Sequence, residues 1–408
     1  MKQIDRVYQY VAKKVSKDMI IESFSRSEEV GIDALEIERD LGIVRNNAST
    51  LLNNLYKKNK LIKIRGRPVR FIPRIIFDNG LYTEELKSEY DYDELRKLVL
   101  KFKSEDPFKA LIGYDKSLKN QIEQAKAALM YPPNGLHTLI VGETGVGKTM
   151  FANVMYEYAR LKKGKDKEEF PFVSFNCADY YNNPQLLLSQ LFGHVKGSFT
   201  GADSDKFGLV DKADGGILFL DEVHRLPPDG QEILFFLMDK GEYYRLGEPL
   251  KPRKSNVLII AATTEEPQKS LLKTFLRRIP VIITLPSLKE KGVEEKVELI
   301  QELFVQEALR IDKKIIICPE VLKGLVLCDC KGNIGQLKSD IRLLCAKSFL
   351  KHLQNNEDLR IEFSMLPAEI KNAIFRVSEL DSSVQKYLSV FNEDIVIYPN
   401  TNRGKTAE

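Results

Sequence analysis

Two groups of residues stand at spacings that chemistry on a phosphate would require. In Leu139-Ile-Val-Gly142-Glu143-Thr144-Gly145-Val146-Gly147-Lys148-Thr149 the pattern G-x-x-x-x-G-K-T follows an apolar run and opens a helical stretch. Glycines let main-chain N–H groups close around a phosphate, and the following helix N-terminus adds partial positive charge. Lys148 then reaches the outer phosphates of a nucleotide, and the Thr149 hydroxyl suits Mg²⁺. A tight strand-to-helix turn alone would not require the Lys-Thr pair, so Gly142 to Thr149 are expected to hold ATP. Downstream, Gly215-Gly-Ile-Leu-Phe-Leu-Asp221-Glu222 delivers two adjacent carboxylates at the end of an apolar run. Asp221 is expected to complete the Mg²⁺ shell and Glu222 to polarise an attacking water, because positioning and charge stabilisation dominate phosphoryl transfer.

Such groups act only when a scaffold aims them. Apolar runs at Leu136–Val141, Phe172–Asn176, Ile217–Leu220, Val257–Ala262 and Val281–Leu285 alternate with helical stretches, which predicts a largely parallel sheet of α/β class. Residues 293–351 read as wholly helical.

The charge is uneven along the chain. Residues 1–74 carry 16 Lys/Arg against 9 Asp/Glu, the remainder 46 against 49, and nine cations with no acid lie between Arg45 and Arg74. A polyanion partner and a merely solvated helix face both account for that. The same stretch has the order helix, turn, helix, hairpin, which is a winged-helix pattern. Asp33–Gly42 forms one helix, ended by Gly42 in a left-handed cap, and Asn47–Lys58 the next, capped by Asn46 or Asn47. Leu51, Leu52 and Leu55 make its buried stripe, leaving Asn47, Ser49, Asn53 and Lys57 outward. Leu61–Ile72 alternates apolar and basic residues about Gly66, with Arg65 and Arg67 at the hairpin tip. With Arg45, these residues are the candidates for double-stranded DNA, the helix in a major groove and the tip in a minor one. Helix-turn-helix units also bind proteins, which is the competing reading.

A chain of 408 residues exceeds one ordinary core, so two or three domains are expected. Five scattered cysteines (Cys177, Cys318, Cys328, Cys330, Cys345) without a C-x-x-C pair suit a reducing compartment. No run approaches the roughly 18 apolar residues of a membrane span, and the N-terminus lacks an apolar signal segment. A cytoplasmic protein with no membrane partner is the expectation.

Gly197-Ser198-Phe199-Thr200-Gly201-Ala202 resembles the GAFTGA loop of the bacterial enhancer-binding proteins, AAA+ activators of the sigma-54 form of RNA polymerase, with Ser198 in place of alanine. The stretches Gly208–His224 and Gly241–Gly247 resemble the same family, and the likeness runs from about Asp106 to Leu350. The resemblance implies an AAA+ P-loop ATPase with a helical lid, whose residues Gly197 to Ala202 touch sigma-54, Phe199 and Thr200 foremost. It also implies that Asn176 orients Glu222 and that Thr263 is the sensor I residue. Arg277 or Arg278 would reach the γ-phosphate held by a neighbouring subunit, which requires a ring of copies, conventionally a hexamer. The family's lid motif G-N-V-R-E-L reads here Gly332-Asn-Ile-Gly-Gln-Leu337, so Gly335 stands where the sensor II arginine is usual. A winged helix placed first is similar to the LevR/ManR-like subgroup, in which sugar-phosphotransferase regulation domains follow the ATPase.

The expected domains are a winged helix-turn-helix over 1–75, a helical linker over 76–105, an AAA+ α/β subdomain over 106–290, a helical lid over 291–365 and a linker toward absent regulatory domains over 366–408. A naturally shorter protein is the alternative to truncation. The expected function is sequence-specific DNA binding joined to ATP-driven remodelling of sigma-54 RNA polymerase, at a carbohydrate-uptake operon by the subgroup resemblance. A DNA-binding repressor or scaffold with a nucleotide-controlled assembly switch, and a DNA-loading ATPase, are the competing readings; the latter leaves residues 197–202 without a purpose.

Overall fold

The computed structural model describes residues 3–16, 19–20, 23–24, 29–76, 87–103, 106–248, 250–355, 358–374 and 381–399. The chain divides into one unit up to Ala110 and a second from Leu111 to Pro399.

In the first unit, α1 (Gln3–Lys14), α2 (Ala34–Leu41) and α3 (Arg45–Lys57) precede a hairpin of β1 (Leu61–Arg65) and β2 (Arg70–Pro73), with Ile62 opposite Ile72. Asp33 caps α2 by accepting the Leu35 and Glu36 amides, and Gly42 ends it at φ 68°. The start of α3 departs from expectation. Val44 occupies the N-cap without a side-chain bond, and neither Asn46 nor Asn47 caps it. Glu38 Oε1 instead accepts the Arg45 N–H at 3.0 Å, placing an acid at the positive end of the helix. Ala48, Leu52 and Leu55 form the buried stripe, with Leu51 half-buried beside it. The segment expected as a linker over 76–105 belongs, in its described residues, to this unit. There β3 (Glu89–Asp91) pairs parallel with β1, and Tyr90, together with Leu95 and Val99 of α4 (Tyr92–Lys103), joins the core of Val7, Leu52 and Ile64. Periodicity cannot reveal a strand whose partner lies this far back in the chain. Residues 77–86 and 104–105 lie outside the described residues.

The second unit is built on five parallel strands, β4 (Thr138–Val141), β5 (Phe172–Asn176), β6 (Ile217–Asp221), β7 (Leu258–Thr263) and β8 (Val281–Thr284), in the order β8-β4-β7-β6-β5. All five expected strands are present, because continuous apolar runs are what a sheet buried on both faces requires. Every residue of β7 is buried. The helices α5 (Lys119–Met130), α6 (Lys148–Lys163), α7 (Pro184–Phe192) and α8 (Pro228–Lys240) intervene. Since β4 lies inside the sheet and its crossovers leave it, the loops after β4, β6 and β7 meet at one carboxyl edge.

The lid holds α9 (Val293–Ile311), β9 (Ile315–Ile317), α10 (Pro319–Leu327), α11 (Asn333–Asn355), β10 (Leu359–Ile361), α12 (Ala368–Ala373), α13 (Ser382–Ser389) and β11 (Ile395–Ile397). It is therefore not wholly helical: three consecutive β-branched isoleucines form β9, which pairs parallel with β10 and antiparallel with β11. The linker expected over 366–408 is likewise corrected over its described part. Ile370, Leu388 and Ile397 enter the lid core with Phe304 and Ile341. Residues 375–380 and 400–408 lie outside the described residues.

Candidate active site

After Val141 the chain turns through Gly142–Thr149 into α6. Gly145 and Gly147 lie at φ 80° and 102°, which glycine adopts without strain. Gly147 caps α6 with no side chain, so first-turn N–H groups stay available to an anion. The buried Lys148 Nζ donates to Gly142 O at 2.9 Å and Glu143 O at 3.1 Å. Burial pushes its pKa down, with Glu222 and Asp221 opposing. The Gly142 N–H donates to Thr263 O at 3.2 Å and ties the loop to β7.

Thr149 Oγ1 donates to Asp221 Oδ2 at 2.9 Å, and Asp221 Oδ1 accepts the Glu222 N–H at 3.0 Å. A hydroxyl and a carboxylate in contact beside a phosphate-shaped loop are the hard oxygen donors that Mg²⁺ takes, so Thr149 and Asp221 fit it. Bound there, Mg²⁺ would supply neutralisation of phosphate charge. Glu222 lies at φ 49°, a left-handed conformation rare for this residue type and concentrated at functional sites. Its Oε2 accepts from Thr264 Oγ1 at 2.9 Å and lies 3.4 Å from His224 Nδ1, which is 3.1 Å from Thr263 Oγ1. Burial lowers the His224 pKa, against the pull of Glu222.

Three expectations change here. Asn176 stands opposite Asp221 in the ladder, yet its Nδ2 donates to Asp179 Oδ1 at 3.0 Å and its Oδ1 accepts the Ala178 N–H at 3.0 Å. It caps the turn after β5 and does not hold Glu222. Thr263 is fully buried and adjoins Glu222 only through His224. Thr264 and His224 hold the carboxylate; a second threonine directly after the strand was the one available signal. Arg278 is paired within its own chain, 2.8 Å from Asp239 Oδ1 and over the Phe235 ring. Arg277 is exposed, and among the described residues its side chain makes no ion pair or hydrogen bond.

Between β5 and β6, Gly193–His194 pairs with Lys206–Phe207 and closes a loop. Gly197, Thr200 and Gly201 are exposed; Phe199 is half-buried, its ring edge-on to His194 at 5.0 Å; Ala202 is buried. Ser198 Oγ is buried without a partner. The loop is bonded to a second one, Val195 N–H to Leu246 O at 3.1 Å. There Arg245 is buried over the Phe207 ring at 4.2 Å and 3.9 Å from Asp205, while its Nε and Nη2 lack partners.

In the first unit, Arg45, Asn47, Ser49 and Lys57 are exposed on α3, and Arg67 at the hairpin tip. Asn53 Nδ2 donates to Ser49 O of its own helix. Arg65 lies 3.3 Å from Glu89 and 3.6 Å from Asp91, so its charge is met by β3, which a reading of residues 45–74 alone cannot foresee.

The sequence profile of the Sigma-54 interaction domain matches residues 111–282. The transcriptional regulatory protein LevR of Bacillus subtilis is 48% identical over 377 residues, 91% of this chain and 40% of that protein. The transcriptional regulatory protein DagR of Salmonella typhimurium is 43% identical over 340 residues, 82% of this chain and 36% of that one. The chain thus spans less than half the length of these two relatives. The DNA-binding transcriptional regulator NtrC of Rhizobium meliloti is 30% identical over 299 residues, 69% of this chain and 58% of that one. Among solved structures, NtrX of Brucella abortus in complex with ADP superposes with a TM-score of 0.52 at 20% identity, covering 74% of this chain and 68% of that one, a likeness of fold alone. The parallel sheet is that of an AAA+ protein, and with residues 111–282 this chain belongs to the family that carries the sigma-54 interaction domain.

Proposed function

We propose that this chain hydrolyses ATP to remodel a promoter complex of sigma-54 RNA polymerase, while its first unit holds double-stranded DNA. The observation that carries the reading is the meeting of Thr149 and Asp221 at 2.9 Å with Glu222 beside them, at the edge of the sheet where Gly142–Gly147 turn their amides to a phosphate. Glu222 orients a water on the terminal phosphorus and draws its proton. The bond from phosphorus to the bridging oxygen breaks, and ADP and phosphate leave. Lys148 and the loop amides meet the charge that builds on the phosphate oxygens.

Thr200 and Gly201, exposed at the tip of the 193–207 loop, suit contact with sigma-54. Arg277, exposed and without a partner in its own chain, suits a neighbouring copy's γ-phosphate better than Arg278, which supports assembly as a ring. Arg45, Asn47, Ser49 and Lys57 suit a DNA groove and its phosphates, and each phosphate contact should add a slope of about 0.9 to the logarithmic salt dependence of binding.

The test is opening of a sigma-54 promoter by wild type with ATP, by wild type with a non-hydrolysable analogue, and by Glu222→Gln and Thr200→Ala. Opening only by wild type with ATP, with Thr200→Ala still hydrolysing ATP, is the expected result. Opening by Glu222→Gln would show that hydrolysis does not drive it, and opening by Thr200→Ala would remove the loop from the reading.

A further inference from the structure

Residues 332–335, at the head of α11, lie directly against Glu143–Gly145 of the phosphate loop, and the donors there follow a pattern. Asn333 is 2% exposed. Its Nδ2 donates to Glu143 Oε2 at 2.9 Å and to Thr144 O at 3.0 Å, and its Oδ1 accepts the Leu288 N–H at 2.7 Å. The Gly335 N–H donates to Gly145 O at 3.1 Å. One amide side chain, with both its donors engaged, thus joins the phosphate loop, the segment after β8 and the lid helix.

Position 335 carries no charge and has little room for one. A Cβ on Gly335 would lie 3.3 Å from Gly145 Cα, and one on Gly145 would lie 2.2 Å from Gly332 O. Asn333 itself sits at φ 55°, which asparagine tolerates better than most side chains.

The direction of these bonds decides what they do. In a trans peptide the carbonyl and the N–H point opposite ways. Thr144 O and Gly145 O share peptide units with the Gly145 and Val146 N–H groups. Holding both carbonyls from the lid therefore turns those two amides away from the lid and into the concavity, where a phosphate is bound by N–H donors. We propose that Asn333 is a positioning residue that sets the phosphate loop for nucleotide and couples the lid to it, with Gly335 N–H as its second tie and no lid cation at 335. This rests on the nucleotide reading above. A phosphate that pulls the loop amides inward tightens the hold on the carbonyls behind them, and a lid that swings away releases both.

The test measures ATP affinity by titration, hydrogen exchange of the Gly145–Lys148 amides with and without ATP, and unfolding temperature without nucleotide. Wild type is compared with Asn333→Ala, Asn333→Asp, Glu143→Gln/Asn333→Asp and Gly335→Ala. Asn333→Ala should weaken ATP binding roughly tenfold, within the usual span of coupling between sites, and lose the ATP-induced protection of those amides. Its kcat should stay within a few fold, since Asp221 and Glu222 are untouched. Asn333→Asp should bind worse still, because a carboxylate then faces Glu143 and the Thr144 carbonyl. Adding Glu143→Gln should recover binding, since the new amide can donate to the new carboxylate. Gly335→Ala should weaken ATP without removing any side-chain bond, which keeps the question open to test if an Asn333 variant unfolds. ATP affinity within twofold of wild type for Asn333→Ala and Gly335→Ala, or a double variant no better than Asn333→Asp, would overturn the proposal. Failure of wild type itself to bind ATP would instead strike the proposed function.

Discussion

The phosphate loop with its carboxylates and the Gly193–Phe207 loop with its neighbour belong to one unit but are completed to different degrees. Around the first, Lys148, Thr149, Asp221, Glu222 and Asn333 all have partners in their own chain. Around the second, Ser198 Oγ, Arg245 Nε and Nη2, Glu248 Oε2 and Arg253 Nε are buried without one. Among the described residues the only other such side-chain atom is Gln121 Oε1. A buried polar atom left unbonded costs about 1–3 kcal/mol. The contrast teaches that the nucleotide site is settled by the chain that carries it, whereas the paired loops hold donors and acceptors for which this conformation has no answer. A partner surface, or a second arrangement of the loops, can supply one.

If that contrast is right, deletions should hurt at the first region and not at the second. The largest effect is expected from Glu222→Gln, which should lower ATP turnover by about 10²- to 10⁴-fold with little change in unfolding temperature. A loss below tenfold in single-turnover assays would take Glu222 out of the chemistry. Next is the acid response of the sheet's opposite edge. His137 Nδ1 accepts the Ile259 N–H at 3.1 Å, and burial holds the His137 pKa down at about 4 against 6.5. Because the unfolded chain binds that proton more readily, the stabilisation is complete above pH 6.5 and is lost as pH falls toward 4. The full span is about 3 kcal/mol. Denaturant titrations of wild type and His137→Gln across that window should converge toward low pH; parallel curves would remove His137 as the source.

Thr264→Ala comes third. A hydrogen bond to a charged group is worth about 1.5–3 kcal/mol, so kcat should fall about tenfold or more while KM for ATP is kept. A change confined to KM would mean that Thr264 serves binding rather than the orientation of Glu222. The smallest effect has the opposite sign. Ser198→Ala deletes an unpartnered hydroxyl and should raise stability by about 1 kcal/mol, seen as a rise of about 2–4 °C in Tm. A fall in Tm would show that Ser198 is satisfied after all and would weaken the comparison between the two regions.

The legible parts of the fold were those whose signals are local. The five strands of the parallel sheet announce themselves as apolar runs, and Gly142–Thr149 and Asp221-Glu222 as fixed spacings at strand ends. Asp33 and Gly42 mark the ends of α2 by their own backbone chemistry. Pairings between distant stretches left no such mark. β3 finds β1 across a segment with no strand pattern, and β11 returns to β9 from beyond α13. Arg65 looks free until Glu89 and Asp91 arrive on β3. Asn176 and Thr264 show the same limit at finer scale: which of two polar groups near a strand end reaches Glu222 depends on the turns after β5 and β7, and on the side-chain directions that those turns set.

The near-contact of Gly145 with the Gly332–Gly335 turn has a hereditary consequence. Positions so far apart in the sequence share one small allowance of space, so neither can acquire a side chain unless the other's backbone gives way. A library varying both at once should show sign epistasis: pairs tolerated together whose single changes are each rejected. An insertion that tilts α11 would relax both positions together. The two glycines are then inherited as a single character, and a lineage that gains an arginine at 335 must first have reset its phosphate loop.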